Sequence, residues 1–282
     1  MKVLTNIIRF ILMVILTITI ISLTIITIVS STILDKNYII SKLEETNFYE
    51  ETYKLVESNF ENYIYQSGLD EIVLENICSQ EKVKEDVNII LSNIYEGTSQ
   101  NIDTTEIAEN LNNNIDKLGI KTSKNESAIN KFVDHICEEY EDTVIHTSYE
   151  DKLNNAYSKI VKIVEKVTNI TTIIFVITLI LMTIISIKCE DKNVRNIGIS
   201  LFSAGTFNII VNKIILSKVN VNGIKIFNDA FSNSLVTIIQ DVLSQVLKSG
   251  TIITILGLVF IIIYAIIQLF KKDKNKLQTE EK

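Results

Sequence analysis

Hydrophobic residues fall into two contrasting arrangements along this chain. In four stretches they run with no charge at all: roughly Phe10 to Leu34, Thr168 to Ile187, Asn196 to Asn212 and Thr251 to Phe270. Elsewhere they recur every three or four positions among polar residues, the period of a helix with one buried face. A helix needs about 20 apolar residues to cross a ~30 Å hydrocarbon core. The first, second and fourth stretches reach that length, and the third is shorter and more polar. The pattern predicts four transmembrane helices.

The long segment between the first two stretches reads as a helical bundle. Tyr49, Tyr53, Val56, Phe60 and Tyr63 line one face of a helix that Gly68 would end. A short apolar piece, Ile72 to Cys78, follows. Ser79 then offers an N-cap to a helix carrying Val83, Val87, Ile90 and Ile94, stopped by Gly97. Asp103 to Glu106 has capping-box spacing ahead of Ile107, Leu111, Ile115 and Leu118, with Gly119 as the stop. Ser123 to Glu126 is a second such box, opening a helix with Ile129, Phe132, Val133, Ile136 and Tyr140. The last helix carries Leu153, Tyr157, Ile160, Val161 and Val164 straight into the second apolar stretch, since neither Gly nor Pro lies between Lys152 and Lys188. Such an unbroken rod would pass a shift in the bundle on to the membrane helices. A further amphipathic helix, with Phe227, Phe231, Leu235, Ile238, Val242 and Val246 on one side, is expected to end at Ser249-Gly250. Its polar face is neutral to acidic, which suits packing under the bundle or against a partner better than lying on a membrane surface.

Charge gives these elements an orientation. Residues 35–167 hold 27 Asp and Glu against 13 Lys, a balance of −14 within a chain whose net charge is −7. Lys2 and Arg9 precede the first stretch, Lys188, Lys192 and Arg195 fill the loop after the second, and Lys271, Lys272, Lys274 and Lys276 follow the fourth. Basic residues beside membrane spans stay cytoplasmic, so both termini are expected there in a multi-pass cell-membrane protein. A cleaved signal peptide ending near Val29-Ser30-Ser31 competes for the first stretch. A signal core is only about 7–15 residues long, whereas 25 uncharged residues run from Phe10, which favours a retained anchor.

The fold class expected is therefore all-α: four transmembrane helices with an extracytoplasmic helical-bundle domain inserted between the first and second. The divisions are 1–34 (N-terminus and first span), 35–167 (acidic outer domain), 168–187 (second span) and 188–195 (cytoplasmic loop). They continue with 196–216 (third span), 217–250 (outer loop with its amphipathic helix), 251–270 (fourth span) and 271–282 (basic tail). The chain contains no proline, a residue that breaks helix interiors by removing a donor and clashing with the preceding turn.

Candidate chemistry is sparse. Ser200, Ala204, Asn208 and Asn212 form a polar, small-residue stripe on the third span. Small residues let helix backbones approach, and Asn hydrogen-bonds across to a neighbour, so the stripe reads first as helix–helix glue and second as the lining of a polar path. Asp142 and His146, continuing the spacing of His135 and Glu139, are weak candidates for a metal pair; the four spread over about 16 Å of helix, too far for one ion. Cys78 and Cys137 would pair only if the outside is oxidising, and spacing alone does not establish pairing. Phosphate-loop, dinucleotide, zinc-protease and serine-hydrolase motifs are all missing. No cofactor is expected, no enzyme activity, and no nucleic-acid partner for so acidic a domain.

With Asn47-Phe48-Tyr49, Ile94-Tyr95-Glu96-Gly97 and one anchor, an acidic Tyr-bearing domain and three closing spans, the chain resembles uncharacterised multi-pass membrane proteins of Gram-positive bacteria. The resemblance implies a bacterial inner-membrane setting and carries no activity or site residues with it. The function expected is a non-enzymatic interaction or sensing role through the outer domain. Its partners are the lipid bilayer and another membrane or extracytoplasmic protein, or a second copy of the chain. The alternative is a channel or transporter component that uses the polar face of the third span.

Overall fold

The computed structural model describes residues 2–67, 69–144, 147–188 and 193–280. All regular structure among them is helical. In chain order the helices are α1 (Lys2–Ser30), α2 (Lys36–Glu45), α3 (Phe48–Ser67), α4 (Gln80–Glu96), α5 (Thr105–Lys117), α6 (Glu126–Val144), α7 (Thr147–Lys188), α8 (Asn193–Lys218) and α9 (Asp229–Glu280). Four of them are long and apolar enough to cross a membrane, over Val3–Ser30, Glu150–Ile185, Asn193–Lys218 and Asp229–Lys271. The third is longer than its uncharged stretch, because Lys213 and Lys218 extend the helix past Asn212.

The chain divides into two compact units. One, here the polar unit, comprises Ile33–Val161 and Lys225–Thr237. The other, the apolar unit, comprises Met1–Thr32, Lys162–Ile224 and Ile238–Lys282.

In the polar unit, α2 to α6 enclose one hydrophobic core. Val56, Val73, Val83, Ile107, Leu111, Ile115, Ile136 and Tyr140 are wholly buried. The predicted stripes hold along α3, α4, α5 and α6, with two shifts at their edges. Ile64 replaces Tyr63 on the inner face of α3, leaving Tyr63 partly exposed, and Leu118 turns outward where α5 ends. Ser79 caps α4 by accepting from Lys82 N–H at 3.1 Å, and Gly97 ends it at φ +70°, a conformation glycine adopts without steric cost. The two predicted capping boxes do not form. Asp103 accepts from Thr105 N–H at 3.0 Å and Thr104 takes the cap position without a side-chain bond. Ahead of α6 the Asn125 side-chain oxygen Oδ1 accepts from the Thr122 N–H and hydroxyl, at 2.7 and 2.8 Å, so α6 starts at Glu126 and Ser123 caps nothing. These side chains fold their own turn instead of the helix end. Gly68, expected to stop α3, lies outside the described residues.

The segment Lys225–Thr237 completes this unit. Asn228 Oδ1 caps α9 through Phe231 N–H at 2.8 Å. Ala230 and Phe231 pack on the core, and the Ser234 and Thr46 hydroxyls lie 2.7 Å apart.

The apolar unit is built the other way round. Its large side chains face outward along α1, α7, α8 and α9: Ile173 is 60% exposed, Ile180 53% and Ile262 56%. Polar and small residues lie between its helices, with Thr19, Thr178, Asn196, Ser200, Asn208 and Asn212 buried. Thr19 and Thr178 return their hydroxyls to Leu16 O and Ile174 O in their own helices, so neither needs an outside partner. Leu12 and Leu16 of α1 meet Met182 of α7 in a small apolar cluster, with Ile197 of α8 against it.

Candidate functional site

The polar stripe of α8 is the most constrained part of the apolar unit. Ser200, Ala204, Asn208 and Asn212 are all buried, joined by Asn196, Gly198 and Gly205. The stripe serves two neighbours. Toward α1, Ser200 Oγ donates to Met13 O at 3.1 Å. Toward α9, backbone approaches backbone at glycines: a Cβ on Gly198 would sit 3.0 Å from Gly257 O, and one on Gly205 would sit 2.5 Å from Gly250 O. A Cβ on Gly257 would collide with the backbone nitrogen of Phe202. Two turns beyond Gly205, the Asn212 amide donates to Leu243 O. From Gly198·Gly257 to Gly205·Gly250 to Asn212·Leu243, the pairs advance seven residues along each helix in opposite directions. This is an antiparallel seam with a two-turn repeat.

That seam explains why Ser249-Gly250 does not end a helix. α9 runs unbroken from Asp229 to Glu280, and Gly250 is the residue that lets α8 approach. A pair of glycines seven positions apart lies on each helix, Gly198 with Gly205 and Gly250 with Gly257, a signal present in the sequence but hidden by the four-residue stripe on α8. Two polar atoms in the seam find no protein partner: Asn208 Nδ2 and Asn212 Oδ1. Nearby, the Thr254 hydroxyl donates to Gly250 O at 2.8 Å.

In the polar unit the densest chemistry is a buried triad that the sequence reading passed over. Asp86 is fully buried on the apolar face of α4. Lys82, one turn earlier, reaches its two oxygens at 2.7 and 2.8 Å, and Tyr140 of α6 donates its hydroxyl to Oδ2 at 2.5 Å. Burial, then the bond to Asp86, pushes the Tyr140 hydroxyl far above the usual phenol range. The clue was the Lys82–Asp86 spacing of four, with Asp86 flanked by Val83, Val87 and Ile90. Here the carboxylate is held by three hydrogen bonds from an ammonium and a phenol, which makes a structural tie between α4 and α6.

Cys78 and Cys137 are both thiols with separate partners, donating to Ser79 O at 3.6 Å and Thr104 O at 3.9 Å. Burial pushes the Cys78 thiol up to about 12, far from the thiolate that reacts. Of the metal candidates, Asp142 is exposed on α6, while His146 lies outside the described residues. The other members of that array are engaged locally: His135 Nδ1 lies 3.2 Å from Glu138, and Glu139 accepts from Asn59 at 2.8 Å. Among the described residues, no three His, Cys, Asp or Glu side chains converge as a metal centre would.

The chain matches no known family model, no curated protein and no solved structure.

Proposed function

We propose that this is a non-enzymatic integral membrane protein whose polar unit stands outside the cytoplasm and recognises a partner or condition there. The observation that carries this reading is the reversal between the two units: one buries its isoleucines, the other exposes them and buries asparagine and serine. Apolar side chains facing outward over four membrane-length helices fit a lipid surround. The flanking basic residues support both termini on the cytoplasmic side, with the strongly acidic segment opposite. Helices α7 and α9 each begin in the polar unit and end in the apolar one without a break. That continuity suits passing a signal from partner binding into the membrane helices.

The test is in-cell crosslinking of the tagged full-length protein, then mild-detergent purification and mass spectrometry. A reproducible heterologous partner, lost when residues 36–160 are replaced by a short linker, is the expected result. Recovery of the same partner without the domain would refute the reading. A helix-breaking insert of glycines near Thr168 should then uncouple partner binding from its downstream effect while the partner still binds.

A second reading, a channel or transporter component, draws on the unmatched Asn208 and Asn212 atoms in the α8–α9 seam. Flux through reconstituted vesicles, abolished in an Asn208→Leu/Asn212→Leu double variant that still assembles, would support it.

A further inference from the structure

The carboxyl end of α8 opens into a cleft of about 310 Å³, formed by the chain from Leu216 to Asn222 together with Gln240 of α9. Its lining combines acceptors with donors. The helix stops abruptly there. Val219 N–H is the last to return to α8, reaching Ile215 O at 2.8 Å, and the N–H groups of Val221, Gly223 and Ile224 turn to Val219, Asn220 and Val221 instead. The carbonyls of Leu216, Ser217 and Lys218 thus end the helix open, and they carry the negative pole of its dipole.

The same lining carries donors. Lys218, an exposed cation, is one of its residues. Asn222 Oδ1 accepts from Gln240 Nε2 at 2.8 Å, which leaves the Asn222 NH2 as a donor. Asn220 lies over Gly223, where a Cβ would come within 2.6 Å of its amide nitrogen. No lining residue is acidic, although acids outnumber bases in the chain as a whole. Open carbonyls together with a cation and side-chain amides complement a zwitterion.

The place along α8 says which zwitterion reaches the cleft. Its 26 residues span ~39 Å at 1.5 Å per residue, more than the ~30 Å hydrocarbon core. With α8 across the bilayer, its last turn lies among lipid headgroups, and Leu216 and Val219 stay half exposed beside the cleft where acyl chains would cover them. We propose that the cleft seats the headgroup of an aminophospholipid of the phosphoethanolamine type. The ammonium rests on the open carbonyls of α8, and the phosphate on Lys218 and the Asn222 amide. This inference rests on α8 crossing the membrane and is independent of what the polar unit binds.

Native mass spectrometry of the full-length protein in mild detergent tests it, by titration with phosphatidylethanolamine, phosphatidylcholine, phosphatidylglycerol and soluble phosphoethanolamine. Phosphatidylethanolamine should bind best. Phosphatidylcholine, whose quaternary ammonium cannot donate to carbonyls, and phosphatidylglycerol, which has no cation, should both bind more weakly. Lys218→Ala should lower phosphatidylethanolamine affinity about tenfold, the scale of one charge-assisted hydrogen bond, and Lys218→Arg should restore most of it. Lys218 is exposed, so the variant folds, which an unchanged helical circular dichroism spectrum would verify. Equal binding of the three lipids, or full affinity in Lys218→Ala, would overturn the proposal. Soluble phosphoethanolamine bound as tightly as the lipid would overturn the lipid source.

Discussion

Two buried asparagines show how differently the two units treat polarity. Asn93 in the polar unit satisfies every part of its amide: Nδ2 donates to Gln100 O and Glu150, and Oδ1 accepts from the Thr98 hydroxyl and Gln100 N–H. It folds the turn after α4 inside a core of isoleucine, leucine and valine. Asn208 in the apolar unit is as deeply buried, yet its Nδ2 has no partner, and what surrounds it is a glycine seam. The first asparagine is an exception within an apolar interior. The second belongs to an interior that is polar by construction, because the helices leave their isoleucines outside. A core driven by water exclusion gathers large apolar groups. Helices in lipid gain nothing by hiding isoleucine and associate through close backbone contact instead. One sequence, rich in isoleucine throughout, uses both rules.

The comparison can be broken at several points. Asp86→Ala should have the largest effect, leaving Lys82 and Tyr140 without their shared carboxylate. Removing one partner of a buried ion pair costs about 3–5 kcal/mol, and chemical denaturation in micelles followed by circular dichroism would measure the loss. Next comes a matched pair of truncations. Ile136→Ala, wholly buried in the polar unit, should cost about 2–5 kcal/mol, whereas Ile173→Ala on the outer face of α7 should stay within about 0.5 kcal/mol. Equal costs at the two sites would end the claim that the units face different solvents.

Gly257→Val tests the seam. Its side chain would meet the Phe202 backbone, which cannot yield as a flexible side chain would, and overpacking of this kind costs about 1–3 kcal/mol. A lowered melting temperature is the expected readout. The smallest effect is the most discriminating. Asn212→Leu removes the bond to Leu243 O and should cost about 0.6 kcal/mol, the average for such bonds in membranes. Asn208→Leu removes an amide nitrogen with no partner, so stability in the same assay should hold or rise. An equal loss at both positions would mean that Asn208 has a partner after all.

Much of the polar unit was legible in the sequence, for physical reasons. Its helices bury one face each, so a three-to-four spacing of apolar residues identifies both the helix and its core side. Val83, Val87 and Ile90, or Ile107, Leu111 and Ile115, needed nothing beyond that. Ser79 and Gly97 act through their own backbone neighbours and were equally readable. The errors arose where a local motif had a competing use. Ser123 lost its capping role because Asn125 bonds back to Thr122. Gly250 looked like a helix stop, because glycine's weak helix propensity is visible in one helix and its packing partner is not. The burial of Asp86 also stayed hidden, since a lysine four residues away reads equally well as a solvated surface pair. For the apolar unit, the four-residue stripe on α8 was visible, whereas its register against α9 depends on a glycine repeat shared by two helices far apart in the chain.

The polar unit's split between two chain segments bears on how the protein is made. Residues 33–161 leave the ribosome first, but Ala230 and Phe231, which pack on the same core, arrive only after α8 has been synthesised. From Val161 to Thr237 is 76 residues, or about 4–15 s at 5–20 residues per second. During that interval the bundle waits with part of its core uncovered. With the intervening helices in a membrane, its completion would be timed by their insertion, so a chain stalled in insertion would carry an unfinished domain that proteases can recognise.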